Sequence, residues 1–152
     1  MNSTILRYGF YSLLTAAVLF LAGLILGEDL SMNTKAVVGY ASMVVSLLFV
    51  FFGIKHFRDK ENNGSITFRM AFILGVAITL FAAVGFAIVD YIYTTVINPE
   101  FMTQYIAEMK ANGSTEEIPE YGSTFLAMIM FLTVLIIGII ITILSGLILS
   151  RK

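Results

Sequence analysis

Apolar runs without a single charged side chain divide this chain into four blocks, at residues 8–27, 36–54, 70–89 and 121–150. Crossing about 30 Å of hydrocarbon at about 1.5 Å per residue takes roughly 20 apolar residues, and every block meets that length. None shows the alternation of a barrel strand. A segment in lipid must satisfy its own backbone hydrogen bonds, so each block predicts a helix. Capping residues stand at three of the starts: Ser31 or Asn33 before the second block, Ser65 or Thr67 before the third, Ser123 or Thr124 at the fourth. The expected spans are about 6–27, 36–55, 68–97 and 121–150, forming one all-α membrane domain over residues 1–152, a compact bundle of four transmembrane helices.

Composition points the same way. The 152 residues are 59% hydrophobic and 12% charged, against roughly half and a quarter in soluble domains. So few polar groups cannot cover a small soluble fold, whereas lipid can. The first block is longer than the roughly 7–15 residues of a signal-peptide core and has no clean small-x-small cleavage site, so it is expected to remain as a helix. There is no cysteine, which removes disulfides, thiolate metal sites and thiol redox chemistry.

Lysine and arginine set the expected direction. With the N-terminus inside, the cytoplasmic face holds Arg7, Lys55, Arg58, Lys60, Arg69, Arg151 and Lys152, and the outer face only Lys35 and Lys110. That asymmetry over short loops predicts a multi-pass protein with both termini in the cytoplasm.

The densest charge lies in "KHFRDKENNGSITFR", residues 55–69, which contains the single histidine, His56. An active site there would need a partner for His56, with Asp59 or Glu61 the available acids. No second histidine exists for haem or a histidine-rich metal site, and no nucleophile motif lies nearby. Four basic residues offset by two acids are too few for a nucleic-acid surface. Asn62, Asn63 and Gly64 instead supply a turn, so the stretch reads as a hairpin whose charges fix topology. No cofactor, metal or nucleic-acid partner is expected, and no enzymatic activity.

The same stretch resembles a bacterial family known as domain of unknown function 4199. Its pattern ends one helix in G-I-K-x-[YF]-R-D-K, turns at a glycine, and opens the next with I-x-F-x-x-A-F. Those positions are Gly53, Ile54, Lys55, Phe57, Arg58, Asp59, Lys60, Gly64, Ile66, Phe68, Ala71 and Phe72, and a later N/D-P-x-F segment matches Asn98, Pro99 and Phe101. The resemblance covers most of the chain and implies a small four-helix inner-membrane protein. It carries no activity with it.

One acid, Asp90, falls late in the third span. Acids in lipid are costly and mark ion or proton sites when they are deep. A helix over 70–97 would put Asp90 about 10 Å from the midplane, about 5 Å inside the hydrocarbon boundary. Tyr91 and Tyr93 beside it suit an aromatic belt. Two readings stay open: an interfacial or packing acid, and a polar or ion site of Asp90, Tyr91 and Tyr93. With no basic residue inside any span, its partners would be hydroxyls such as Thr15 or Tyr40, or water.

Small residues recur at close-approach spacings: Gly23 and Gly27; Gly39, Ser46 and Gly53; Ala71, Gly75, Thr79, Ala83 and Ala87; Gly138, Thr142, Gly146 and Ser150. They predict packing seams within the bundle, with a homodimer as the other use. Between the third and fourth spans, residues 98–113 predict a short amphipathic outer helix, capped by Asn98 with Pro99 in its first turn and ended by Asn112-Gly113. Phe101, Met102, Tyr105, Ile106 and Met109 share one face of it, either a lid on the bundle or a surface for a membrane-protein partner. Two functions follow from different classes. One is a non-enzymatic accessory or scaffold protein working through helix packing and the outer helix. The other is a small oligomeric transporter or channel using Asp90 as a proton or cation site.

Overall fold

Side chains at the block edges start two of the long helices in the computed structural model, which describes residues 1–150. Helix α1 covers Asn2–Leu26. Helix α2 covers Met32–His56, with Ser31 as its cap accepting from the Thr34 N–H. Thr67 plays that part for α3 (Phe68–Ile92), accepting from the Met70 N–H. A short helix α4 spans Phe101–Ala111 and α5 spans Ser123–Leu149. Neither Ser123 nor Thr124 caps α5. Gly122 holds the cap position without a side-chain bond, because Ser123 is already the first helical residue.

Both α2 and α3 run on into one wide π turn, Phe57–Glu61 and Tyr93–Ile97. The charged stretch is therefore helical through Glu61, and the reversal is confined to a few residues. Asn63 (φ 52°) and Gly64 (φ 79°) adopt the left-handed conformation that their residue types tolerate. With these extensions, four helices are long and apolar enough to cross a membrane: Asn2–Leu26, Met32–Glu61, Phe68–Ile97 and Ser123–Leu149.

Helix α3 is the centre, packing against α1, α2 and α5. Of its most apolar window 50% is buried, against 17% for α5. Apolar burial alone does not drive helices together in lipid, so close van der Waals approach and interhelical hydrogen bonds must do it. The small residues provide the approach. Helices α3 and α5 are antiparallel and interlock twice: Gly75 receives Thr142, and Gly138 receives Thr79. A Cβ on Gly75 would lie 2.5 Å from Thr142 Cγ2, so no larger residue fits without separating the helices. Ala71 faces Gly146 one turn further along. Between α1 and α2, Gly53 admits Tyr8, and a Cβ on Gly23 would come 2.9 Å from Val38. The Ser12 hydroxyl crosses that contact to donate to the Ser46 carbonyl at 2.8 Å.

These pairings gather the start of α1, the α2–α3 turn and the end of α5 at one end of the bundle. The α1–α2 turn and the end of α3 lie at the other.

Candidate functional site

Asp90 belongs to a stripe on α3 that recurs every three or four residues, through Thr79, Ala83 and Phe86. Phe86 is fully buried and meets the Phe20 ring of α1 at 5.0 Å between centroids. Rotation of the helix that buries Phe86 also turns Asp90 inward, and its side chain is only 8% exposed. Its Oδ2 has no hydrogen-bond partner among the described residues. The expected hydroxyl partners do not reach it. Tyr40 is 55% exposed on α2, and neither it nor Thr15 forms a bond to the carboxylate.

The two tyrosines separate. Tyr91 is exposed, whereas Tyr93 is buried with its ring edge-on to Phe101 at 6.0 Å. Positions two apart along a helix differ by about 200° in direction, so the two rings leave α3 on nearly opposite sides and do not share one site with Asp90. Below Asp90 along the stripe, Ala82, Ala83 and Phe86 are fully buried and separate the carboxylate from the hydroxyls of Thr79 and Thr142. Above it, the Thr94 hydroxyl donates to the Asp90 carbonyl at 2.8 Å, at the entry to the π turn. That turn closes with Asn98 N–H donating to the Tyr93 carbonyl at 2.7 Å.

The start of α4 also departs from the expected capping. Asn98 does not cap it, and Pro99 precedes it. The Phe101 N–H donates to the Asn98 carbonyl at 3.1 Å, which makes residues 98–101 a tight turn with Pro99 at the position where a fixed φ favours it. Helix α4 begins after that turn, with Glu100 at its cap position but no side-chain bond. Met102 is buried, and Phe101, Tyr105, Ile106 and Met109 are partly covered, while Thr103, Gln104, Ala107 and Lys110 are exposed. Glu108 Oε1 accepts from the Met32 N–H at 3.0 Å. A carboxylate from α4 thus satisfies one of the free donors at the start of α2, where the helix dipole favours negative charge. Sequence pattern gave no sign of this bond, because its partners are 76 positions apart.

At the opposite end lie Arg7 near the start of α1, Lys55, Arg58 and Lys60 at the end of α2 and its π turn, and Arg69 at the start of α3; Arg151 and Lys152 lie outside the described residues. Arg58 Nε pairs with Asp59 at 2.6 Å. Glu61 accepts from the buried Thr4 hydroxyl and pairs with the Met1 ammonium at 2.7 Å, fastening α1 to the α2–α3 turn. Among the described residues, no three histidine, aspartate or glutamate side chains come together as a metal site.

Neither the curated proteins nor the solved structures contain a match to this chain. The match that exists is to a family, described as a protein of unknown function (DUF4199), whose model aligns with residues 7–151. Nearly the whole bundle falls inside that match, and the chain belongs to this family.

Proposed function

We propose that this chain is a non-enzymatic accessory or scaffold protein of the bacterial inner membrane, with both termini in the cytoplasm. The observation that carries this reading is how the buried polar groups are used. Ser12, Ser42, Ser46 and Thr94 give their hydroxyls to backbone carbonyls. Thr4 holds Glu61, and Thr79 and Thr142 fit against glycines, their hydroxyls buried there with no hydrogen-bond partner among the described residues. Such an interior serves helix packing and offers no continuous polar path. The end with Arg7, Lys55, Arg58, Lys60 and Arg69 suits the cytoplasmic side, which puts α4 outside as an amphipathic helix. Helix α4 turns its apolar face towards its own bundle, leaving its polar face and the uncovered sides of α5 for a membrane-protein partner or a second copy.

Asp90 favours the second reading, a small oligomeric transporter or channel, because a carboxylate oxygen buried without a partner is the usual mark of an ion site. Affinity purification in mild detergent separates the two. A stoichiometric membrane-protein partner supports the accessory role, and a clean homo-oligomer supports transport.

A further inference from the structure

A groove of about 360 Å³ opens between α1 and α2 at the basic end of the bundle. Its walls are aromatic: Tyr8 and Tyr11 from α1, Phe49 and Phe52 from α2. Tyr11 and Phe52 are about half exposed, at 47% and 48%, so the groove opens sideways from the bundle. Its rim is basic, with the ammonium groups of Lys55 and Lys60 and the imidazole of His56. The Tyr8 ring lies 5.5 Å from that of His56, and Tyr11 lies 6.0 Å from Phe49, so one wall leads continuously from the aromatic part to the cationic part.

The polarity gradient has a direction and a length. Lys55 ends the charge-free block of α2. Phe52 and Phe49 sit three and six residues before it, about 4.5 and 9 Å deeper at the helical rise. Lys60 lies about 7.5 Å beyond it, on the headgroup side. Charge in the groove is also unbalanced. Asp59 is the one acid lining it, and Arg58 already holds that carboxylate. Among the described residues, Lys55, His56 and Lys60 have no ion-pair or hydrogen-bond partner.

The geometry points to a specific site for an anionic phospholipid, its phosphate held by Lys55, His56 and Lys60 and its acyl chain laid along Phe52, Phe49 and Tyr11. Two lysines near one phosphate give more than diffuse attraction to an acidic surface. The aromatic wall supplies the apolar contact that a free anion would not use. The site rests on the groove alone and is independent of whether the protein is a scaffold or a transporter.

The chain contains no tryptophan, so Phe52→Trp provides a single fluorescent reporter in the groove. The protein is placed in phosphatidylcholine nanodiscs containing increasing fractions of brominated phosphatidylglycerol. Saturable quenching at low mole fraction is expected, and brominated phosphatidylcholine should not reproduce it. Adding Lys55→Gln and Lys60→Gln raises the half-quenching fraction by about 25-fold, roughly fivefold for each lysine. Arg7→Gln with Arg69→Gln removes the same charge from the same end outside the groove, and leaves the fraction within about twofold. If the double lysine variant does not fold, Lys60→Gln alone gives the fivefold step. Equal quenching by both lipids, or equal weakening by both pairs of substitutions, overturns the site. Displacement of the brominated lipid by millimolar inorganic phosphate would assign the groove to a soluble anion and overturn it too.

Discussion

Gly75→Ala would place a methyl group 2.5 Å from Thr142 Cγ2, 2.8 Å from its Oγ1 and 3.1 Å from Ile54 Cδ1. Carbon atoms in favourable contact stand about 3.5–4.0 Å apart, so α5 must retreat by about 1 Å. Retreat also loosens the reciprocal contact of Thr79 with Gly138. Overpacking of this kind costs about 1–3 kcal/mol, and the contact at both lock points places the expected loss near 2 kcal/mol. Thr142→Ala behaves differently. It forfeits a buried methyl worth about 1 kcal/mol, but it also removes a hydroxyl that is buried without a partner, whose burial costs about 1–3 kcal/mol. The single change should be close to neutral. Combined with Gly75→Ala, it removes the two nearest obstructing atoms, so the pair should recover at least about 1 kcal/mol relative to the sum of the singles. Denaturant unfolding in mild detergent measures all four corners of the cycle. Additivity of Gly75→Ala and Thr142→Ala to within about 0.3 kcal/mol would refute the interlocking seam.

Removing the Glu108 carboxylate with Glu108→Ala frees the Met32 N–H and detaches α4 from α2. The Met32 amide should exchange faster with deuterium, and proteases should cut faster between residues 112 and 122; unchanged rates would show that the bond does not hold α4. Ser12→Ala deletes the hydrogen bond from α1 to the Ser46 carbonyl and should cost about 0.6 kcal/mol, the usual value for such a bond in a bilayer protein, again read by unfolding in detergent. Thr4→Val removes the hydroxyl bonded to Glu61, and should speed amide exchange at the first turn of α1 without altering the centre of the bundle.

Parts of this molecule are legible in one dimension because lipid imposes one-dimensional rules. A span must be long and free of charge, so the four helices follow from counting. Ser31 and Thr67 are legible as caps because each acts on an N–H three residues along the same chain. What joins helices is harder to read. The ladders Gly75–Thr79 and Gly138–Thr142 are visible separately, but nothing in either says that each glycine receives the other helix's threonine. The Thr4–Glu61 and Glu108–Met32 bonds depend on where helices end up after folding, at separations of 57 and 76 residues. Asp90 lies between these cases. Its depth follows from its place in the third span, whereas its inward rotation follows from the stripe it shares with Phe86. That stripe can be followed in the sequence, whereas the divergence of Tyr91 and Tyr93 to opposite sides follows from their spacing of two.

The claim that the buried polar groups serve packing is tested most directly by flux through the purified protein in sealed liposomes. Proton and monovalent-cation movement is followed under an imposed membrane potential, for the natural chain and for Asp90→Asn. The account predicts no flux above that of empty liposomes for either protein, with both equally folded. A flux carried by the natural chain and lost in a folded Asp90→Asn variant would contradict it and establish Asp90 as the ion site.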